Sequence, residues 1–217
     1  MTATLYFSRN PNPRLAVAVA RHLNADVRFE FASTFAPENR KRFRALNPTL
    51  LLPILVEDGR SLWETDAIAC RLSQLSGTDF WRMGAEMPEM IRWISWGKAN
   101  FMLAVDMVHF EVGTKQRYGM GPVDKAALAE GERMFHASAR QLDDHLVGRD
   151  YLLDSGLSYA DFRVAAYLPF NDVAGLPLQD YPRVNAWYER LEALPDWADP
   201  FAGLEAPELP PLPPRAA

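Results

Sequence analysis

Residues 47–72 read NPTLLLPILVEDGRSLWETDAIACRL, and this stretch decides the fold of the N-terminal half. Asp58-Gly59 lies between two apolar runs, residues 53–57 and 60–63. Asp-Gly suits a two-residue hairpin turn, whose central positions need a left-handed backbone, so the runs are predicted to be antiparallel strands. From Thr65 onward, Ile68, Leu72 and Leu75 recur at helical spacing and predict a helix packed on that sheet.

Upstream, Leu5 to Phe7 reads as a short strand, and Val27, Phe29 and Phe31 alternate with Arg28 and Glu30 as a second. Between them, Asn12-Pro13 has the form of an N-cap with a first-turn proline, and Leu15, Val19 and Leu23 follow at helical spacing. A strand-helix-strand unit implies parallel strands. Residues 37–44 predict a polar, basic helix that Asn47-Pro48 stops. The first half is therefore an α/β domain of order βαβ-α-ββα, assigned to residues 1–78.

After Gly77 the strand signals vanish. Ile91, Ile94, Lys98, Phe101, Met102, Val105 and Val108 form a long helical stripe, and residues 125–147, 159–173 and 183–194 predict three more helices. Residues 86–203 are assigned to an all-α helical-bundle domain. Residues 110–121 (FEVGTKQRYGMG) are read as a connecting loop. Residues 207–217 hold five prolines in eleven positions, so 204–217 is read as an extended tail.

Composition narrows the function classes. The 217 residues are 48% hydrophobic and 24% charged, with a net charge of −5, so there is no basic excess for nucleic acid or an anionic membrane. The one cysteine, Cys70, precludes an internal disulfide, and its helical position reads as a small core residue. His22, His109, His136 and His145 are scattered, and no metal site is expected. There is no run of 18 apolar residues, and the opening residues lack a basic lead followed by an apolar core, so the expected address is the cytoplasm.

Within 47–72, a cis bond at Pro53 would turn the main-chain N–H and C=O of Leu52 outward, ready to pair with an extended peptide. Glu64 and Thr65 stand at a strand-to-helix junction, where free N–H groups and the helix dipole attract a carboxylate and Glu64 can take an ammonium. The competing reading is an ordinary helix start in which both residues only cap.

Asn47-Pro48, Leu52-Pro53-Ile54-Leu55, Asp58-Gly59 and Glu64-Thr65-Asp66-Ala67-Ile68 resemble the motifs of the cytosolic glutathione transferases. Leu157-Ser158-Tyr159-Ala160-Asp161 is similar to that family's helix-capping box, and Tyr181-Pro182-Arg183-Val184 with Trp187, Arg190 and Leu191 to its C-terminal helix motif. The resemblance spans roughly residues 4 to 200. It implies a thioredoxin-like N-terminal domain that binds glutathione as co-substrate, an all-α domain for a small apolar electrophile, and a homodimer. Leu52 and Pro53 would present the backbone to the cysteinyl unit, and Glu64 and Thr65 would hold the γ-glutamyl end.

Thiol activation in the family uses a donor near the start of the first helix. The run Asn10-Pro11-Asn12-Pro13 resembles one bacterial and fungal branch, with Asn10 where a threonine usually stands. Ser8 and Asn10 together are assigned as catalytic donors, with Tyr6 the lesser candidate. Asn12 is a ligand contact or a structural cap. Leu51 replaces a lysine that many members aim at the glycyl carboxylate; Arg40, Lys41 or Arg9 are candidate replacements. The alternative reading is a non-catalytic binding protein on the same fold. A thiol reductase would need a cysteine near residues 8–12, and none is there.

Overall fold

The structure, a computed structural model, describes residues 3–213. Strands β1 (Ala3–Phe7), β2 (Val27–Phe31), β3 (Ile54–Glu57) and β4 (Arg60–Trp63) form a sheet of order β2-β1-β3-β4. β1 runs parallel to β2 and antiparallel to β3, and β3 antiparallel to β4, as the turn chemistry predicts. Asp58 (φ 50°) and Gly59 (φ 76°) supply the two left-handed positions of the hairpin.

Helix α1 (Pro11–His22) buries residues 13–20 and packs on α3 (Thr65–Leu75). Its start differs from the sequence reading. Asn10, extended at φ −69° and ψ 160°, is the N-cap and Pro11 the first helical residue, so Asn12-Pro13 lies inside the first turn. Pro11 has no N–H to satisfy and a fixed φ, which suits the first helical position. Helix α2 (Pro37–Leu46) packs through Phe43 into a cluster of Tyr6, Ala32, Leu50 and Ile54.

The chain divides into two compact units, with described residues 3–83 and 194–208 in one and 84–193 and 209–213 in the other. Residues 194–203, assigned to the all-α domain as its end, group in the structure with the sheet-bearing unit. The cause is packing: Trp197 is fully buried, Arg14 donates to its carbonyl, and Phe201 stacks on Phe7 at 5.7 Å. The first part of the predicted tail is also tied down, Arg9 donating to the Ala206 carbonyl at 3.2 Å and pairing with Glu208 at 2.7 Å. Residues 214–217 of that tail lie outside the described residues.

The second unit carries α4 (Met87–Ala99), α5 (Phe101–His109), α6 (Lys115–Arg117), α7 (Lys125–His145), α8 (Tyr159–Val164), α9 (Asn171–Ala174) and α10 (Pro182–Glu192), with α11 (Pro195–Ala198) belonging to the first. The stripe read as one long helix breaks at Asn100 (φ −129°, ψ −88°), whose side chain donates back to the Trp96 carbonyl at 2.8 Å. The predicted loop 110–121 begins instead as a π-helical turn, Phe110–Thr114, leading into α6. Buried Glu111 organises it, accepting from Lys115 at 2.9 Å and from the Asp124 N–H at 2.7 Å. The helix predicted over 159–173 splits, α8 ending at Val164 and a 3-10 turn, Leu168–Phe170, preceding α9. Pro169 cannot donate the next helical hydrogen bond.

Where α4 crosses α8, a Cβ built on Gly97 would come 2.8 Å from Val164 Cγ2. Alanine gains about 1 kcal/mol of helix propensity there, but overpacking against a stiff β-branched partner costs about 1–3 kcal/mol. Gly97→Ala is therefore expected to lower stability by about 1 kcal/mol. Chemical denaturation checks it; an unchanged or raised midpoint would show that the helices yield without cost.

Candidate functional site

The strand registers gather the predicted site residues at one end of the sheet. Tyr6 pairs with Ile54 where β3 begins, so the exit of β1 toward Ser8 lies at the same end of the sheet as the Leu52-Pro53 entry to β3. Ile54 pairs with Trp63 where β3 begins and β4 ends, so the exit of β4 toward Glu64 lies at that same end. The end of β1, the entry to β3 and the exit of β4 into α3 thus meet, and each strand delivers a candidate residue to the same rim.

At the β1 exit, Asn10 Nδ2 donates to Ser8 Oγ at 3.2 Å. Asn10 is exposed and makes no capping bond with its side chain, so its amide reaches Ser8 rather than the helix it precedes. Thr65, buried at the start of α3, approaches the Asn12 carbonyl at 3.4 Å through Oγ1, joining the first turns of α1 and α3. Ser8, Asn10, Asn12 and Thr65 are therefore neighbours, although residues 8–12 and 65 are far apart in sequence.

The Leu52-Pro53 peptide is cis. Among the described residues, the N–H and C=O of Leu52 have no hydrogen-bond partner. The loop before it is braced by contacts the sequence reading missed. Asn47 Nδ2 donates to the Leu51 carbonyl at 2.8 Å, and Asn47 Oδ1 accepts from the Thr49 N–H at 3.0 Å and its hydroxyl at 2.9 Å. Thr34 donates to the Leu50 carbonyl at 2.5 Å, while Leu50 itself is buried at φ 62°. The Asn-Pro-Thr run carried the signal, since Asn side chains readily bond the backbone two residues on.

Glu64 is exposed, holds φ 73° and ψ 122°, and makes no side-chain cap bond to α3. A non-glycine residue in that region costs about 1–3 kcal/mol. Because the side chain caps nothing, capping does not account for a glutamate here, and its carboxylate stands free at the rim among the described residues.

Two other candidates are engaged elsewhere. Tyr6 packs edge-on against Phe43 at 5.3 Å, and its hydroxyl accepts from Arg42 at 2.8 Å. Arg9 is committed to Ala206, Glu208 and the face of Phe201. Arg40 and Lys41 are exposed on α2. Leu51, in the lysine position, is 57% exposed. Cys70 is half-buried and its thiol is pushed up by burial, the opposite of an activated nucleophile. Among the described residues no cluster of His, Cys, Asp or Glu fit for a metal is present.

A family model described as glutathione S-transferase, N-terminal domain, matches residues 1–72, and one described as glutathione S-transferase, C-terminal domain, matches residues 125–190. The chain is 31% identical over 179 residues to FtsZ-localized protein A of Caulobacter vibrioides, covering 75% of this chain and 76% of that protein. Its fold matches a glutathione transferase from Populus trichocarpa with a TM-score of 0.83 at 20% identity, over 94% of this chain and 100% of that one. A glutathione S-transferase from Methylobacillus flagellatus with GSH bound matches with a TM-score of 0.76 at 20% identity, over 95% and 100% of the two chains.

Proposed function

Because the chain belongs to the glutathione S-transferase family, we propose that the sheet-end rim binds glutathione and that the protein transfers its thiolate to small apolar electrophiles. The observation that carries this reading is the convergence of unpaired Leu52 backbone, uncapping Glu64 and the Ser8–Asn10 pair on one rim. Leu52 offers the cysteinyl unit of glutathione a donor and an acceptor in extended geometry. Glu64 takes the γ-glutamyl ammonium, and the first N–H groups of α3 with the Thr65 hydroxyl take its carboxylate.

Chemistry then needs a thiolate. The cysteinyl S–H releases its proton to solvent, and the Ser8 hydroxyl and the Asn10 amide donate hydrogen bonds to the sulfur anion, lowering the thiol pKa. The sulfur lone pair attacks the electrophilic carbon and a C–S bond forms. Either the leaving group departs with its bonding pair or, in an epoxide, the C–O bond opens and the oxygen takes a proton from water. We place this activity in the cytoplasm and in a homodimer, as the family resemblance implies.

Each lost donor to a charged sulfur is expected to raise the bound thiol pKa by about one unit, since 1.4 kcal/mol corresponds to one unit. The thiolate ultraviolet absorbance of glutathione-loaded Ser8→Ala and Asn10→Ala reads this directly. A bound pKa unmoved in both variants would remove them from the catalytic role. Turnover with glutathione and haloaromatic, epoxide and enal substrates tests the activity itself.

A second reading has its own support. Asn10 offers an amide where a hydroxyl is usual, Leu51 leaves the glycyl carboxylate without the usual cation, and the 31% identical relative is named for localisation with FtsZ. On this reading the same fold serves as a non-catalytic binding protein. Calorimetry separates the two: saturable glutathione binding favours the transferase, and none favours the interaction protein.

A further inference from the structure

β2 stands at an edge of the sheet, bonded to β1 on one side and to no strand on the other. Just past its end the Ala32 N–H donates to the Phe7 carbonyl at 2.9 Å. Main-chain groups alternate sides along a strand, so Arg28 and Glu30 also face β1, while Phe29 and Phe31 turn their N–H and C=O outward. Among the described residues those four outward groups have no hydrogen-bond partner. An open groove of about 850 Å³ lies against this edge, lined by Phe7, Phe29, Glu30 and Phe31 and by residues 203–207 of the same unit. Its size falls in the range of ligand-binding clefts. The 203–207 wall is held in place, Arg9 donating to the Ala206 carbonyl at 3.2 Å and Arg21 to that of Ala202 at 2.6 Å.

The two faces of β2 differ in chemistry. The half-buried Phe29 and Phe31 rings stand edge-on to Phe7 at 6.4 and 6.1 Å. On the other face Arg28 and Glu30 pair at 2.8 Å, with side chains 66% and 32% exposed. A strand laid antiparallel to β2 and centred on Phe29 sets its flanking residues opposite Arg28 and Glu30. Opposite charges directly across stabilise such a pair and like charges destabilise it. The edge therefore selects apolar residues at alternate positions, an acid opposite Arg28 and a base opposite Glu30. β2 has no proline, and its one-to-one register with β1 has no bulge, two of the devices that ordinarily close an edge.

We propose that the open edge of β2 docks an extended segment of a partner protein as an added antiparallel strand with that charge pattern. Phe29 and Phe31 each exchange two main-chain hydrogen bonds with it, and the aromatic floor takes its apolar side chains. A second copy pairing through its own β2 would bring its own residues 203–207 to the same face of the groove, so a single chain fits better than a second sheet. The site shares no residue with the glutathione rim and does not depend on the transferase reading.

The probe is the fluorescein-labelled peptide Thr-Val-Lys-Val-Glu-Val-Thr, amidated, titrated into the full-length protein and followed by anisotropy. Saturable binding is expected, with slowed amide hydrogen exchange at Phe29 and Phe31 by NMR. N-methylation of the central valine, whose N–H faces β2, lowers affinity about tenfold, whereas N-methylation of the lysine, whose N–H faces away, leaves it within about twofold. Exchanging the lysine and the glutamate of the peptide lowers affinity about fivefold. Arg28→Glu reverses the preference, binding the peptide with lysine in place of that glutamate more tightly than the original. No binding, unchanged exchange at Phe29 and Phe31, equal losses from the two N-methylations, or no charge preference overturns the proposal. Light scattering in which the peptide halves the mass of the protein assigns the edge to a second copy and overturns it as well.

Discussion

Asp161→Ala is expected to destabilise the helical unit by about 4 kcal/mol, the largest stability effect of any single change considered, because it strips the acceptor from a fully buried network. Asp161 has no exposed surface and accepts from four donors: the Leu152 N–H at 2.8 Å, the Ser158 N–H at 2.9 Å, the Ser158 hydroxyl at 3.2 Å and Trp187 Nε1 at 3.0 Å. Burial pushes its carboxyl up while these donors pull it back. Alanine leaves the two N–H groups and the indole buried without partners, each costing about 1–3 kcal/mol. Asp161→Asn keeps the volume and one oxygen and should lose about half as much. Urea unfolding followed by circular dichroism measures both; a loss under about 1 kcal/mol for the alanine variant would mean water replaces the carboxylate.

Glu64→Ala is expected to cost about a hundredfold in glutathione affinity, the worth of a charge-assisted contact to an ammonium. The fold should be unharmed, since the Glu64 side chain is exposed and caps nothing. Glu64→Gly sharpens the test. Glycine accepts φ 73° without steric penalty, so this variant should be more stable by about 1 kcal/mol while binding no better than the alanine one. Gain of stability with loss of binding is the signature of a residue held in place for a ligand. Calorimetry with wild-type affinity in both variants would remove Glu64 from the site.

Much of this was legible locally. The hairpin followed from Asp58-Gly59 because turn chemistry acts over two residues, and its register sets Ile54 opposite Trp63. The start of α1 was misplaced because Asn10-Pro11 and Asn12-Pro13 carry the same capping signal, and only the fold shows that Asn10 turns to Ser8. The break at Asn100 has no proline to announce it, and the apolar stripe runs on through it. Residues 194–203 group with the sheet-bearing unit through Trp197, whose carbonyl accepts from Arg14 183 positions away. Contacts of that range have no sequence-local trace. The same limit hid the bracing of Leu50 and Leu51 by Thr34 and Asn47.

A crystal of the protein soaked with glutathione tests the central claim most directly. The account predicts glutathione along the rim, its cysteinyl backbone paired with Leu52, its ammonium on Glu64 and its sulfur within about 3.5 Å of Ser8 Oγ or Asn10 Nδ2. Glutathione bound with its sulfur away from both groups, or a rim left empty at saturating concentration, would contradict it.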